Sequence, residues 1–288
     1  MEENNIVVTQ QPGGICTAAG GTRKTVKLSR PWQTRIKINP ETCPFEKPEE
    51  QEIVKTYDFG GVWMRLKNLY TPFPYHELIV PETCWDEERL RSLGGIVELV
   101  TALDIAVKVI EERSENKIIM GVHVGPLAGQ NQGHLHYHLL SPDLAKDESP
   151  LLLGGRASED EVHGYTQSNE HLTILESSGV KVVAGGHRVG QCFLVPKEPF
   201  AGITASGSLG ESLSRVIDLY AERFRSTEGF APDYMIGLMF REKKFRYGFY
   251  LPILNHWGTT EYFALFGEEP VILPWSHEVT VGHLQRNQ

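Results

Sequence analysis

Three histidines alternate with apolar residues in the run His134-Leu135-His136-Tyr137-His138-Leu139-Leu140. An extended strand turns successive side chains to opposite faces, so the three imidazoles would line one face and Leu135, Tyr137 and Leu139 the other. Three imidazoles on one surface can supply a nucleophile, proton carriers and phosphate-binding donors together. Clustered histidine also raises the question of a metal. On a regular strand His134 and His138 lie roughly 13 Å apart, whereas a zinc–nitrogen bond is about 2 Å. All three therefore cannot share one ion, although a neighbouring pair could with ligands from elsewhere. Nucleophilic catalysis fits better. A neutral imidazole can attack phosphorus and form a covalent phosphoramidate, splitting one displacement into two. It needs one ring nitrogen free and the other held by an acceptor that fixes the tautomer. The central His136 is the candidate nucleophile, with His134 and His138 on either side. The lead-in Gly125-Pro126-Leu127-Ala128-Gly129-Gln130-Asn131-Gln132-Gly133 can offer N–H and amide donors to phosphate oxygens.

These residues need a frame. Composition reads as strand over 62–68, followed by the bend Thr71-Pro72-Phe73-Pro74 and a second strand that stops at Pro81. Residues 86–113 carry a helical stripe (Leu90, Leu93, Ile96, Val97, Val100, Leu103, Val107, Ile110), weakened early by Gly94-Gly95. A strand over 117–124 leads into the histidine run. Residues 142–178 are polar and read as a connection. The order then repeats: strands at 180–183 and 191–196, a helix over 208–225, and strands at 234–240 and 246–251. Strand, strand, helix, strand, strand occurs twice, which predicts an internal duplication with one active copy. The expected fold class is α+β, with two related halves, each a mostly antiparallel sheet with a long helix. The expected division is an N-terminal arm over 1–35, an active half over 36–150 and a second, degenerate half over 151–288.

The 288 residues carry a formal net charge of −9, which argues against a nucleic-acid partner. A polyphosphate would have to be held by local donors. No apolar run approaches the roughly 20 residues of a membrane span. The acidic start Met1-Glu2-Glu3 lacks the features of a signal peptide, so a cytoplasmic location is expected. Cys16, Cys43, Cys84 and Cys192 are too dispersed for a disulfide framework.

The histidine run resembles the His-apolar-His-apolar-His-apolar-apolar motif of the histidine triad superfamily. Gly129-Gln130-Asn131 is similar to that family's Gly-Gln-Ser phosphate-contacting segment, with Asn131 at the Ser position. His76-Glu77-Leu78-Ile79-Val80-Pro81 resembles its upstream His-strand-Pro element, and Asn68 falls at the place of a nucleotide-contacting Asn. Cys43-Pro44-Phe45-Glu46, then Trp63, Arg65 and Asn68, and then Gln191-Cys192-Phe193-Leu194-Val195-Pro196-Lys197, are similar to the galactose-1-phosphate uridylyltransferase branch over about residues 36–288.

The resemblance implies two histidine-triad-like halves and a ping-pong nucleotidyltransferase acting on a nucleoside diphosphate sugar. His136 would attack the α-phosphate and form a nucleotidyl-histidine, and a phosphorylated acceptor would then take the nucleotide. His134 and His138 would orient His136 or assist charge at phosphate. Asn68, His76, Gly129, Gln130 and Asn131 would hold nucleotide and phosphate. The chemistry needs no cofactor, and the implied partners are nucleotide substrates and a second copy in a homodimer. The departures are specific. Transferases of the branch usually carry Gln where this chain has His138, and His there is commoner in hydrolases and some phosphorylases. A dinucleoside polyphosphate or nucleotide-sugar hydrolase or phosphorylase is therefore the alternative, and a non-catalytic nucleotide-binding module is a third. His123 stands where the family has Asn. A Cys-x-x-Cys zinc pair would begin at Cys43, but Glu46 replaces its second cysteine; Cys84 could compensate, giving a structural zinc on Cys43, Cys84 and His134. Trp63 and Phe73 are further candidates for stacking on a base, and Arg65 and Lys67 for balancing phosphate charge.

Overall fold

The chain's β-branched and aromatic segments pair into one continuous sheet, and its two long amphipathic segments cover that sheet on one side. The computed structural model describes residues 7–10, 24–27, 43, 45, 52–68, 73, 75–125, 128, 130, 133–141, 159–186, 190–228, 231–253, 281–282 and 284–285. In chain order the elements are β1 (Val7–Gln10), β2 (Lys24–Lys27), β3 (Ile53–Asp58), β4 (Val62–Lys67), β5 (Tyr75–Pro81), α1 (Glu87–Arg91), α2 (Ile96–Glu112), β6 (Lys117–Val124) and β7 (Tyr137–Ser141). They continue with α3 (Glu159–Ser168), β8 (Thr173–Ser177), β9 (Val180–Ala184), β10 (Cys192–Pro196), α4 (Ile203–Glu228), β11 (Asp233–Arg241) and β12 (Lys244–Ile253).

β1 and β2 form a separate antiparallel pair within the stretch read as an arm. The other ten strands form a single sheet in the order β3-β4-β5-β7-β6-β11-β12-β10-β9-β8. Every pairing in it is antiparallel. The fold is α+β as expected, but there are not two separate sheets. β6 and β11 pair along their lengths, from Lys117 opposite Arg241 to Val124 opposite Tyr234, and fuse the two sets of five strands. Outward from that seam the order is β6, β7, β5, β4, β3 on one side and β11, β12, β10, β9, β8 on the other.

α2 and α4 pack together on one face of the sheet. α2 turns Leu99, Ala102, Leu103, Ile105, Ala106, Val107, Val109 and Ile110 inward. Burying each Leu, Ile or Val side chain contributes about 1.5–3 kcal/mol, several times the few tenths that β-branched residues cost in helix propensity. Packing, then, holds this Val- and Ile-rich segment helical. Leu135, Tyr137 and Leu139 enter the same core, so the opposite face of β7 carries the histidines. Among the described residues, no helix is long and apolar enough to cross a membrane.

Three local expectations need correction. The helix over 86–113 is two helices, because Leu93, Gly94 and Gly95 all take positive φ and interrupt the ladder. A Cβ at Gly94 would meet Glu98 and Trp85 at under 3 Å, so glycine there allows the close turn. The strand carrying the histidines begins only at Tyr137; His134 and His136 precede it. Residues 142–178 are more than a connection, since they hold α3 and the edge strand β8. α3 lays Val162 and Tyr165 on the face of the second five strands, over Phe193, Val195 and Phe249.

A buried ion pair pins β4 to β5 on the helix side. Arg65 donates to Glu77 from Nε at 2.5 Å and Nη2 at 3.2 Å, and Tyr75 donates to the same carboxylate at 2.9 Å. Glu77→Ala would leave the Arg65 charge with only the half-exposed Glu112, 3.1 Å from Nη1, as its acidic partner among these groups. Removing one member of a buried pair costs about 3–5 kcal/mol, and Glu112 offsets part of that. Urea unfolding of Glu77→Ala is expected to show a loss of about 3 kcal/mol. A loss below about 1 kcal/mol would mean that Arg65 finds water instead.

Candidate functional site

The histidines assemble on the face of β5, β7 and β6 opposite the helices. Register explains the grouping. Leu78 and Gly121 lie opposite His138, which places His76, two residues along β5, and His123, two residues along β6, on the same face. His76 Nε2 lies 2.9 Å from His138 Nδ1. The His138 ring is 4.9 Å from that of His136 and 5.8 Å from that of His123, centroid to centroid. Asn68, at the end of β4, sets its amide nitrogen 3.3 Å from His76 Nδ1 and 3.2 Å from Nε2.

His136 meets the two requirements of an imidazole nucleophile. Its Nδ1 lies 2.9 Å from the carbonyl oxygen of His134. A carbonyl only accepts, so Nδ1 carries the proton and Nε2 keeps its lone pair. Burial lowers the His136 pKa to about 4, against the opposing pull of the His134 carbonyl and with help from His123, His134 and His76. The ring is therefore neutral near pH 7. His76 is also lowered to about 4 by burial, and His138 to about 2 by burial first and then by His136, His123 and His76.

Buried neutral histidines make stability pH-dependent. In the unfolded chain these imidazoles take up protons below about pH 6.5; in the folded chain they resist until about pH 4 or lower. The unfolded state binds more protons in that window, so stability is full above about pH 6.5 and is lost as pH falls toward 4. His76 and His138 are only partly buried, which leaves an effect on the order of 2 kcal/mol between pH 7 and pH 5. Urea midpoints measured at the two pH values are expected to fall accordingly, and less so in His138→Gln. Equal midpoints would contradict the burial argument.

His134 faces away from this group. Its Nε2 lies 2.6 Å from the Pro81 carbonyl oxygen and so carries the proton. Its Nδ1 lone pair points toward Cys84 Sγ at 3.1 Å and Cys43 Sγ at 3.4 Å. The three donor atoms lie within 4.8 Å of one another. Two thiols and an imidazole nitrogen, with the other ring N–H anchored on a carbonyl, are a donor set suited to zinc. Cys43 and His134 are buried and Cys84 is partly so. Phe45 stands between the two centres, its ring 5.4 Å from that of His134 and 5.5 Å from that of His136.

Gln130 accepts from the Gly125 N–H through Oε1 at 2.7 Å, while its buried Nε2 has no hydrogen-bond partner among the described residues. An unpartnered buried amide is costly, and this one is a donor available to a phosphate oxygen. Gly129 and Asn131 lie outside the described residues. Of the lesser candidates, Trp63 is core, edge-on to Trp85, and Phe73 stands edge-on to His76. Arg65 is in the ion pair described above, and Lys67 pairs with Glu52 at the surface. His123 was noticed in the sequence only as a departure from a motif. Its membership of the cluster comes from the β6–β7 register, which no local pattern encodes.

No protein-family profile matches the sequence, and neither does any curated protein. Solved structures do match. A GalT-like protein from Arabidopsis thaliana aligns with a TM-score of 0.59 at 15% identity, over 85% of this chain and 91% of that one. An ADP-glucose phosphorylase from Arabidopsis thaliana, determined with bound ADP-glucose, aligns with a TM-score of 0.61 at 15% identity, over 88% and 92%. A uridylyltransferase aligns with a TM-score of 0.55 at 12% identity, over 97% and 98%. The chain shares their fold. The histidine-triad resemblance read from residues 134–140 and the fold-level likeness thus point the same way, from independent features.

Proposed function

We propose that this protein is a nucleotidyl-transferring enzyme that works through a covalent nucleotidyl-His136 intermediate, with a nucleoside diphosphate sugar as donor. The observation that carries the reading is the single hydrogen bond from His136 Nδ1 to the His134 carbonyl, which leaves Nε2 as a neutral, fixed lone pair. In the first step Nε2 attacks the α-phosphorus. A nitrogen–phosphorus bond forms, the bond from α-phosphorus to the bridging oxygen breaks, and the sugar 1-phosphate leaves with the electron pair. In the second step an acceptor phosphate oxygen attacks the same phosphorus and His136 is released unchanged. Gln130 Nε2 and the amides of Gly129 and Asn131 supply donors to the phosphate oxygens, and His138 assists beside His136.

Cys43, Cys84 and His134 hold a structural zinc in this reading. Bound there, zinc supplies cross-linking between the segment at Cys43, the loop after β5 and the approach to β7. His134 is then a scaffold ligand whose backbone carbonyl serves His136. The division into an arm over 1–35, a unit over 36–150 that carries the site and a degenerate unit over 151–288 is supported by the strand order mirrored about β6 and β11. α3 covers the second unit's equivalent face with apolar residues, consistent with one active copy.

His138 in place of Gln favours a second reading, transfer to inorganic phosphate or to water. One experiment covers both. The protein is mixed with α-labelled nucleoside diphosphate sugars or dinucleoside polyphosphates and quenched, and acid-labile label on the protein is counted. Label that chases to a sugar phosphate supports the transferase. Label that chases to phosphate or to water supports the second reading. Binding without label from any donor would overturn both in favour of a nucleotide-binding module.

A further inference from the structure

β11, from the second set of five strands, lays a carboxylate against the turn that opens the loop before the histidines. We propose that Asp233, held by Arg91, is a positioning residue that fixes the turn at Gly125 and thereby aims the Gln130 amide at the phosphoryl group of the donor. The proposal deepens the nucleotidyl-transfer reading and rests on it.

Gly125 closes the loop that carries Gln130. Its N–H donates to Gln130 Oε1 at 2.7 Å. Its carbonyl accepts from the Ala128 N–H at 3.2 Å and from the Gln130 N–H at 3.3 Å. Residue 125 is thus tied to both the side chain and the backbone of residue 130. With Oε1 committed to this bond, the direction of Nε2 on the planar amide follows from the orientation of Gly125. Gln130 is only 3% exposed, so the amide has little freedom of its own. Gly125 has a φ of 90°. Glycine reaches that conformation at no steric cost and leaves it as easily, so the turn needs a neighbour to hold it.

That neighbour is Asp233. Val124 and Tyr234 are partners at the end of the β6–β11 seam, so Gly125 and Asp233 come next across it. A Cβ at Gly125 would collide with Cγ and both carboxylate oxygens of Asp233, all within 2.5 Å. The carboxylate therefore fills the space where a side chain at 125 would stand. Asp233 is buried, and Arg91, the last residue of α1, donates from Nη1 to its Oδ1 at 2.8 Å. The same nitrogen lies 3.4 and 3.5 Å from the carbonyl oxygens of Ala231 and Pro232, and the Tyr234 hydroxyl donates to the Arg91 carbonyl at 2.7 Å. Arg91 thus meets every residue from 231 to 234. Its charge also faces a carboxylate that stands behind the loop assigned to phosphate, and so reduces repulsion of an anionic donor. In this reading the second unit is not idle, because it supplies the support for the active unit's loop.

The test is a double-mutant cycle on the rate of His136 labelling at saturating donor, read in single turnover with the full chain. Asp233→Ala removes the support and is expected to slow labelling by about tenfold through misplacement of Gln130 Nε2, less than the roughly 100-fold or more that outright loss of such a donor costs. Asp233→Asn keeps the size and an acceptor for Arg91, and is expected to recover most of that loss. In a Gln130→Ala background, where no amide remains to be aimed, Asp233→Ala is expected to cost less than about twofold. An equal loss in both backgrounds would overturn the proposal. Hydrogen exchange at the Gly125 amide reads the positioning without activity. It is expected to be slow in the wild type and about tenfold faster in Asp233→Ala, while the amides within β6 keep their protection. Unchanged exchange at Gly125 would also overturn the proposal. Arg91→Met, at a partly exposed position, is expected to speed the same exchange and keeps the test open if Asp233→Ala does not fold. If no donor labels the wild type, the transfer reading fails by itself, and exchange at Gly125 still decides whether Asp233 and Arg91 hold the turn.

Discussion

His136→Asn is expected to abolish acid-labile nucleotide labelling and to slow turnover by about 10⁴-fold or more. An asparagine amide can still donate to the His134 carbonyl, so the local backbone keeps its partner while the nucleophile is lost. The effect should be far larger than that of altering His76 or His138, because those residues only assist the displacement that the His136 nucleophile performs. The pH profile should carry the same signature. Only the neutral ring attacks, and burial holds the His136 pKa near 4. The wild-type labelling rate is therefore expected to stay level from about pH 8 down to about pH 5 and to fall as pH approaches 4. Retained label in His136→Asn would sink the assignment, and an acid limb near pH 6.5 would show that the ring is not desolvated.

Loss of the sulfur–imidazole cluster should have the largest effect on stability. Zinc bound to such donor sets contributes about 10 kcal/mol or more in small domains, of which this larger fold would feel only a part. Cys84→Ala is expected to lose a stoichiometric zinc and to lower unfolding free energy by about 3–5 kcal/mol, a fall of about 10 °C in melting temperature. A strong chelator should produce the same shift in the wild-type chain and none in Cys84→Ala. Metal content by mass spectrometry and melting curves check both. A wild-type chain free of metal, with melting unmoved by chelator, would leave Cys43, Cys84 and His134 as a hydrogen-bonded cluster and no more. Because His136 is fixed by the carbonyl of His134, Cys84→Ala should also loosen the nucleophile and lower the labelling rate.

Much of the molecule was legible in the sequence for local reasons. The alternation in 134–140 separated Leu135, Tyr137 and Leu139, which enter the core, from the histidines on the other face. The strand predicted over 117–124 is observed with the same limits, because its apolar run and bounding turns leave little ambiguity. The segment over 86–113 was harder. A helical stripe counts side chains and does not register that Leu93, Gly94 and Gly95 adopt positive φ. β3 and β8 were missed because edge strands pair on one side only and need no strong apolar alternation. Five of the six residues of β3 are exposed, leaving Tyr57 as its only buried member.

What the sequence determined by itself is the chemistry available: three imidazoles in one run, an amide-rich lead-in, two cysteines far upstream, and a repeated order of strands and helices. These are properties of residue type and spacing, and short-range periodicity carries them. The tertiary structure decided which neighbours each histidine meets. Pairing of β5 with β7 and of β7 with β6 brings His76 and His123 to His138 from 62 and 15 positions away along the chain. The turn before β7 points His134 toward Cys43 and Cys84, across 91 and 50 positions. In the proposed reading, the run then divides into a scaffold ligand, His134, and a nucleophile, His136, with His138 beside it. The physical reason is that a tautomer is fixed by hydrogen-bond partners, and those partners are brought together by sheet register rather than by sequence.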